Sequence, residues 1–168
     1  YENMSIALAE SVANQGQGFI NSMAFGNGGT SVDPTGIITY LTPNSTGTNA
    51  SLYNQTYTKV VDDRSVTNLD PQRNKIETRH VNGTNYTDVL VTCLLDYGEP
   101  NGQDAVDQAS QANSLYVFDE LGLVSYSPSG TGKLLTHVVF HPVQKSLNRL
   151  VQIDYTVRVQ SLTGFNEG

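Results

Sequence analysis

The protein has 168 residues, which is enough chain for one domain with a substantial core. Its composition is rich in Asn, Thr, Ser and Gly, with nine tyrosines and no tryptophan, and this favours short strands joined by turns over a helical bundle. The net charge of −7 excludes simple binding to a phosphate backbone, and no apolar run is long enough for a membrane-spanning helix, so neither nucleic acid nor membrane is an expected partner.

The first 35 residues are predicted to form an N-terminal helix or extended arm followed by a Gly-rich linker. Residues 3–15 carry Met4, Leu8 and Val12 on one helical stripe. Glycines then break any period over residues 16–35, which predicts an extended loop. Its apolar side chains would anchor the arm on a neighbouring subunit, and these predicted interface residues are Phe19, Ile20, Met23 and Phe25.

Residues 36–168 are predicted to form a single antiparallel β-sandwich domain, so the fold class is mainly β. The Asn82-Gly83 dipeptide predicts a hairpin turn between two of the strands. A helical turn is expected near Asp104, and Pro142 is expected to interrupt the chain after a strand. The predicted strands cover residues 37–41, 57–61, 75–81, 86–96, 115–126, 134–140 and 150–160.

The last predicted strand alternates almost without error between apolar and polar residues, which is typical of a strand with one face on a core. Its polar face is a candidate hydrogen-bonding surface for a neighbouring subunit. The predicted interface residues on this face are Gln152, Asp154 and Arg158.

No convincing catalytic, cofactor or metal site can be read from the residues. The sequence SPSGTGKL (residues 127–134) lacks a first glycine and a final Ser or Thr that a phosphate loop requires, so a hairpin turn is expected there. His137 and His141 would lie about 13 Å apart on a strand, so buried or interface histidines with satisfied hydrogen bonds are expected rather than metal ligands. Cys93 is expected to be an inert buried thiol.

Paired carboxylates remain to be considered, because they can catalyse hydrolysis or bind calcium. Adjacent residues on a strand point to opposite faces, which makes Asp62-Asp63 and Asp119-Glu120 poor acid and base partners. Calcium in the loop of residues 62–70 is favoured over catalysis, although the EF-hand pattern is absent. N-x-S/T sequons also leave a secreted glycoprotein open; they begin at Asn3, Asn44, Asn49, Asn54, Asn82 and Asn85.

The C-terminal third, YVFDELGLVSYSPSGTGKLLTHVVFHPVQKSLNRLVQIDYTVRVQS (residues 116–161), resembles virion proteins of tailed bacteriophages. It is most similar to the N-terminal attachment domains of tail-collar fibre proteins, in which an E-[LI]-G-L strand (here residues 120–123) is followed by a turn, a second strand, a proline-bearing link and a long closing strand. The segments LYNQTYTKVVDD and VTCLLDYGEPNGQ extend the resemblance toward the N-terminus, as far as about residue 52. The chain departs from the fibre pattern because no receptor-binding shaft or tip follows the closing strand.

The resemblance implies a structural protein of the virion, assembled in the host cytoplasm, which links or decorates tail parts such as the collar, neck or baseplate. Its partners would be copies of itself and other virion proteins, and no enzyme activity or cofactor is expected. Two alternatives remain open, a capsid decoration protein and a carbohydrate-binding β-sandwich module. Exposure of Tyr40, Tyr53 and Tyr57 together would favour glycan binding, because sugars stack on exposed rings.

Overall fold

The computed structural model describes residues 2–44, 46–100 and 115–162. Within these ranges the chain is mainly β, with one helix and nine strands. In chain order the elements are α1 (Glu2–Val12), β1 (Ile20–Gly26), β2 (Thr30–Val32), β3 (Ile38–Tyr40), β4 (Gln55–Val60), β5 (Lys75–His80), β6 (Tyr86–Leu95), β7 (Leu115–Ser125), β8 (Val138–Ser146) and β9 (Val151–Gln160).

The strands form two larger sheets and a small ribbon. One sheet has four strands in the order β4-β1-β7-β8, the other has three in the order β5-β6-β9, and β2 and β3 form a two-stranded ribbon. Neighbouring strands are antiparallel throughout. The two larger sheets pack face to face, because both contribute side chains to one buried core, and this confirms the predicted antiparallel sandwich. The fully or almost fully buried core residues are Met23, Phe25, Val61, Val91, Cys93, Leu95, Tyr116, Phe118, Leu121 and Leu123.

The three-stranded sheet follows the sequence pattern closely. The β5–β6 hairpin turns at Asn82-Gly83, where Gly83 has a φ of 87° that a glycine adopts without strain. Strand β9 pairs with β6 from Gln160 opposite Tyr86 to Val151 opposite Leu95, with no shift in register. Its side chains alternate between half-buried and exposed as far as Arg158, as the period of two predicts.

Strand β1 corrects the predicted linker of residues 16–35. Instead of an extended loop, residues 20–26 form an inner strand that pairs with both β4 and β7. Met23, Ala24 and Phe25 are fully buried, so both faces of this strand are covered. A strand covered on both faces has no apolar and polar alternation to reveal it, and the flanking glycines resemble a flexible segment. The four-stranded sheet therefore crosses the predicted boundary at residue 35.

Helix α1 was predicted and is present, but a different face of it is buried. Asn3 and Ala7 are 1% and 2% exposed, and the Asn3 side-chain amide donates a hydrogen bond to the Leu134 carbonyl at 3.0 Å. On the predicted apolar stripe, Leu8 and Val12 are exposed. The helix therefore docks on its own fold through a small residue and an amide, which a search for large apolar residues overlooks.

Strand β8 corrects the expected interruption at Pro142, because the strand runs through this proline. It lies at the edge of the four-stranded sheet, where a residue without an N–H group is tolerated on the outer side. The register between β7 and β8 also shifts between Phe118 and Glu120, because residues 140–142 of β8, which include Pro142, lie opposite Asp119 alone. The helical turn expected near Asp104 lies outside the described residues. No helix in the described ranges is long and apolar enough to cross a membrane.

Candidate interaction surfaces

Two adjacent buried carboxylates organise one end of the four-stranded sheet. Asp119 lies on β7 opposite a bulge of β8, and Glu120 follows it; they are 3% and 0% exposed. Asp119 accepts hydrogen bonds from the backbone N–H groups of Gly29 at 2.9 Å and Thr30 at 3.0 Å. Because these donors precede and begin β2, Asp119 fixes the base of the β2–β3 ribbon to the sandwich.

Glu120 binds three further loop donors and one histidine. The backbone N–H groups of Gly28, Tyr53 and Asn54 donate to its carboxylate at 2.9, 2.8 and 2.9 Å. The Nε2 of His137 lies 2.8 Å from Glu120 Oε1. Burial of Glu120 raises its pKa, but the hydrogen bonds from His137 and the three N–H groups outweigh burial, so the pKa lies below its ordinary value. The carboxylate is therefore a fixed anion that joins three loops.

The neighbours of His137 define its tautomer. Its Nδ1 accepts a hydrogen bond from the Asn44 N–H at 2.7 Å, so this nitrogen carries no proton, and the proton on Nε2 is donated to Glu120. His137 is thus the buried, satisfied histidine that was predicted, whereas His80 and His141 are exposed. In the described ranges, no group of three or more His, Cys, Asp or Glu side chains is arranged to hold a metal ion.

The β2–β3 ribbon presents apolar side chains to solvent. Its turn is held by Asp33, whose Oδ1 accepts hydrogen bonds from the N–H groups of Thr35 and Ile37, both at 2.9 Å. The Thr35 hydroxyl also donates to Asp33, and this bond leads the contacts that lower the pKa of Asp33. At the base, the Leu41 N–H donates to the Gly29 carbonyl at 2.8 Å. We call the exposed apolar residues of this segment the ribbon surface: Val32, Ile37, Tyr40 and Leu41, which are 62%, 62%, 50% and 41% exposed.

The outer face of the three-stranded sheet carries a row of charges in register. Arg79 on β5 lies opposite Asp88 on β6, and Asp88 lies opposite Arg158 on β9. Arg158 donates from Nε to Asp88 at 2.9 Å and its guanidinium lies 3.7 Å above the centre of the Tyr86 ring. The hydrogen bond from Arg158 is the main contact that lowers the pKa of Asp88. This row fixes the Arg158 side chain while leaving half of it exposed.

The predicted interface residues fall into different environments. Met23 and Phe25 are wrong as surface anchors, because both are fully buried in the core of their own chain. Ile20 is half-buried against the same core, and Phe19 stacks on Tyr126 with ring centres 5.0 Å apart. On β9 the predicted polar residues Gln152, Asp154 and Arg158 are all exposed.

A polar groove of about 540 Å³ lies beside β4 and the loop after it. Its charged side chains neutralise one another: Lys59 pairs with Glu99 at 2.6 Å, and Arg73 contacts both Asp70 and Asp96. The loop proposed for calcium contributes to this groove. Asp62 accepts from the Arg64 N–H at 3.0 Å and Asp70 is bound to Arg73, so neither carboxylate is directed toward a common centre.

The tyrosines considered for glycan binding are divided between surface and core. Tyr40 and Tyr53 are 50% and 44% exposed, and the Tyr53 hydroxyl donates to the Thr42 carbonyl close to Tyr40 in the chain. Tyr57 is instead half-buried and packs against the core beside Phe25 and Tyr116. Cys93 is fully buried, and burial raises the pKa of its thiol to about 12. A thiol with this pKa is not a nucleophile at neutral pH.

Reasoning from sequence overlooked the Asp119, Glu120 and His137 anchor. Adjacent strand residues were expected to act on opposite faces, but the carboxylates of Asp119 and Glu120 both accept hydrogen bonds from the segment of residues 28–30. The sequence signal that could have revealed this anchor is the Gly28-Gly29 pair. Where the backbone passes close to a buried carboxylate there is no room for a Cβ atom, so glycine is favoured. A Cβ on Gly28 would lie 2.8 Å from the Tyr53 side chain, and one on Gly29 3.0 Å from Val139.

Comparison with models of known protein families finds no match for this chain, and comparisons with curated proteins and with solved structures find no match either.

Proposed function

We propose that this protein is a structural component of a bacteriophage virion, which links or decorates tail parts such as the collar, neck or baseplate through contacts between subunits. The observation that carries the proposal is the ribbon surface, where Val32, Ile37 and Tyr40 are each at least half exposed on a segment held rigidly at both ends. The resemblance of residues 116–161 to tail-collar fibre attachment domains supplies the virion context.

The physical support lies in the rigidity of the ribbon. Asp119 holds its base and Asp33 holds its turn, so little conformational entropy remains to be lost when a partner covers it. Burial of a large apolar side chain stabilises a complex by about 1.5–3 kcal/mol when it is fully removed from water. Several such side chains on one preorganised ribbon favour protein contact over a role as a solvated loop.

A capsid decoration protein would use the ribbon surface in the same way against a different neighbour. Location in the particle separates these two assignments. A carbohydrate-binding module is the second candidate function, and the exposed rings of Tyr40 and Tyr53 favour it. For that function, saturable quenching of tyrosine fluorescence by a saccharide is expected, with loss of the signal in Tyr40→Ala.

Assembly of the Ile37→Asp variant tests the proposal. A carboxylate at this position would have to be desolvated in a subunit contact, so incorporation into particles should fall at least about tenfold, since that corresponds to ~1.4 kcal/mol. The matched control is Val66→Asp, which also replaces a β-branched aliphatic side chain by a carboxylate, at a residue that is 97% exposed on a different loop. Incorporation is measured by quantitative mass spectrometry of purified particles, and circular dichroism checks that both variants fold.

Electron cryomicroscopy of intact particles provides the direct check. Density for the chain at the collar, neck or baseplate, with the ribbon against a neighbouring subunit, is the expected result. Absence of the chain from particles would contradict the virion role. A ribbon that faces solvent in the particle, together with normal incorporation of Ile37→Asp, would remove the ribbon surface from the proposal.

A further inference from the structure

The outer edge of β9 differs from the other sheet edges in the described part of the chain. Strand β8 carries Pro142 within a bulge, and β4 and β5 are only six residues long. Strand β5 also alternates charged residues, with Lys75, Glu77 and Arg79. Such devices discourage pairing with another strand. Strand β9 has ten residues, without proline, glycine or a register shift.

The free backbone groups of β9 can be assigned from one hydrogen bond. The Ser161 N–H donates to the Asn85 carbonyl at 2.8 Å, toward the β6 side. Because backbone groups in an antiparallel strand point alternately to its two sides, the odd-numbered residues of β9 face β6 and the even-numbered residues face outward. The N–H and C=O groups of Gln152, Asp154, Thr156, Arg158 and Gln160 thus form the outer edge.

We propose that β9 pairs antiparallel with β9 of a second copy, about a twofold axis that passes Thr156. In this register Thr156 lies opposite Thr156 of the partner subunit, and Asp154 lies opposite Arg158 of the partner subunit. The twofold axis repeats the second contact, so two opposite-charge pairs form. The two three-stranded sheets become one continuous six-stranded sheet across the pair.

Charge complementarity selects this register. The row of charges on the outer face runs Arg79, Asp88, Arg158 across β5, β6 and β9, with alternating sign. Asp154 of the partner subunit continues the alternation on the fourth strand. If the twofold axis passed residue 155 or 157 instead, Asp154 and Arg158 would both lie opposite uncharged residues of the partner subunit. If it passed residue 154 or 158, that residue would lie opposite its own copy, and like charges opposite each other destabilise a sheet.

The inner side of β9 gives independent support. Ile153, Tyr155 and Val157 pack against the core but remain only half-buried, and Val159 is 41% exposed. The proposed register places Tyr155 opposite Val157 of the partner subunit and Ile153 opposite Val159 of the partner subunit. Aromatic and β-branched cross-strand pairs of this kind stabilise antiparallel sheets. The same pairing that satisfies the backbone edge therefore also covers the exposed rim of the core.

This contact goes beyond the proposed function, because it uses the β9 edge rather than the ribbon surface and its partner is an identical chain. The two can fail separately. Ile37→Asp, which alters the ribbon surface, should dimerise like the unchanged protein. Loss of dimers in Ile37→Asp but not in β9 variants would overturn the β9 contact and leave the ribbon as the interface.

Thr156→Pro tests the pairing at its centre. The Thr156 N–H points outward, so proline removes a donor to the partner without removing a bond to β6, and an edge strand tolerates it. Sedimentation velocity over a range of concentrations should show a dimer for the unchanged protein and a monomer for Thr156→Pro. The monomeric fold of the two proteins should have similar melting temperatures. Val157→Pro is the contrast, because it removes a bond to β6 and should unfold the sheet.

Asp154→Arg supplies a second test, which decides the matter if Thr156→Pro does not fold. It places two arginine pairs across the twofold axis, so the dissociation constant should rise at least tenfold at low salt and less at high salt. Glu77→Arg is the matched control, with the same change of charge on exposed β5, and should dimerise normally. A monomeric unchanged protein at high concentration, or an unchanged dissociation constant in Asp154→Arg, would overturn the proposal.

Discussion

Glu120 is the residue whose environment most narrowly limits what can replace it. Its carboxylate accepts from three backbone N–H groups and from His137, and its side chain is completely buried. Glutamine has nearly the same shape but would direct an amide NH2 group at one of these donors. Hydrogen bonds to charged groups contribute about 1.5–3 kcal/mol, more than bonds between neutral groups.

We predict that Glu120→Gln lowers the free energy of unfolding at pH 7 by about 2–3 kcal/mol. Because the pKa of Glu120 is lowered in the fold, its contribution is complete above the unfolded value of about 4.3 and is lost as pH falls through the folded value. The difference between the two proteins should therefore shrink in acid. Urea unfolding at pH 7 and at about pH 3.5 measures both quantities.

Glu77→Gln is the control for this substitution, since the Glu77 side chain is 55% exposed and contacts only Lys75 among the ion pairs of the described residues. Its effect at pH 7 should be within about 0.5 kcal/mol, as for other surface changes. Two results would contradict the role assigned to the Glu120 carboxylate. One is an equal loss of stability in Glu120→Gln and Glu77→Gln, and the other is a difference in unfolding free energy between Glu120→Gln and the unchanged protein that does not vary with pH.

At the scale of secondary-structure elements, β1 decides how the N-terminal region should be understood. Phe25 meets Phe118 edge to face with ring centres 5.3 Å apart, in the middle of the shared core. Phe19, only six residues earlier, is 39% exposed and stacks on Tyr126 at the surface. Phe25 therefore packs in the core, whereas Phe19 makes only a surface contact.

We predict that Phe25→Ala lowers the free energy of unfolding by about 3–5 kcal/mol, the usual cost of truncating a buried aromatic ring. Phe19→Ala, the matched control, should cost less than half of that value. Thermal or urea unfolding followed by circular dichroism measures both. If Phe25 were instead a surface anchor, both variants would unfold like the unchanged protein, and only association would change.

The elements that sequence reasoning found are those whose sequence pattern is local. Strand β9 alternates, and the β5–β6 hairpin has its turn dipeptide, so both follow from residues close together in the chain. Strand β1 and the continuation of β8 through Pro142 were missed, because one is covered on both faces and the other depends on its position at a sheet edge. The carboxylate anchor was missed for a related reason, since its backbone N–H donors lie 66 to 92 residues away in the chain.

At the scale of the whole molecule, the sandwich depends on its N-terminal region. Strand β1 lies between β4 and β7, so the four-stranded sheet is interrupted without it. Helix α1 makes a smaller contribution, through Asn3 and Ala7. The first 35 residues thus include one element that the fold requires and another that covers its surface.

We predict that a chain lacking residues 1–35 shows no cooperative unfolding transition, because β4 and β7 lose their shared neighbour and the core loses Met23 and Phe25. A chain lacking only residues 1–15 keeps β1 and should unfold cooperatively at a lower temperature. Differential scanning calorimetry distinguishes the two. A cooperative transition in the shorter chain would show that residues 36–168 fold independently.

Pro142 has a consequence for how far association can proceed. A strand edge that lacks an N–H group and lies beside a bulge is a poor template for the next chain, so the four-stranded sheet cannot extend past β8. The proposed β9 contact is isologous and consumes its own surface in both copies. Growth of the sheets then stops at a closed pair, and raising the protein concentration should increase the number of pairs without producing fibres.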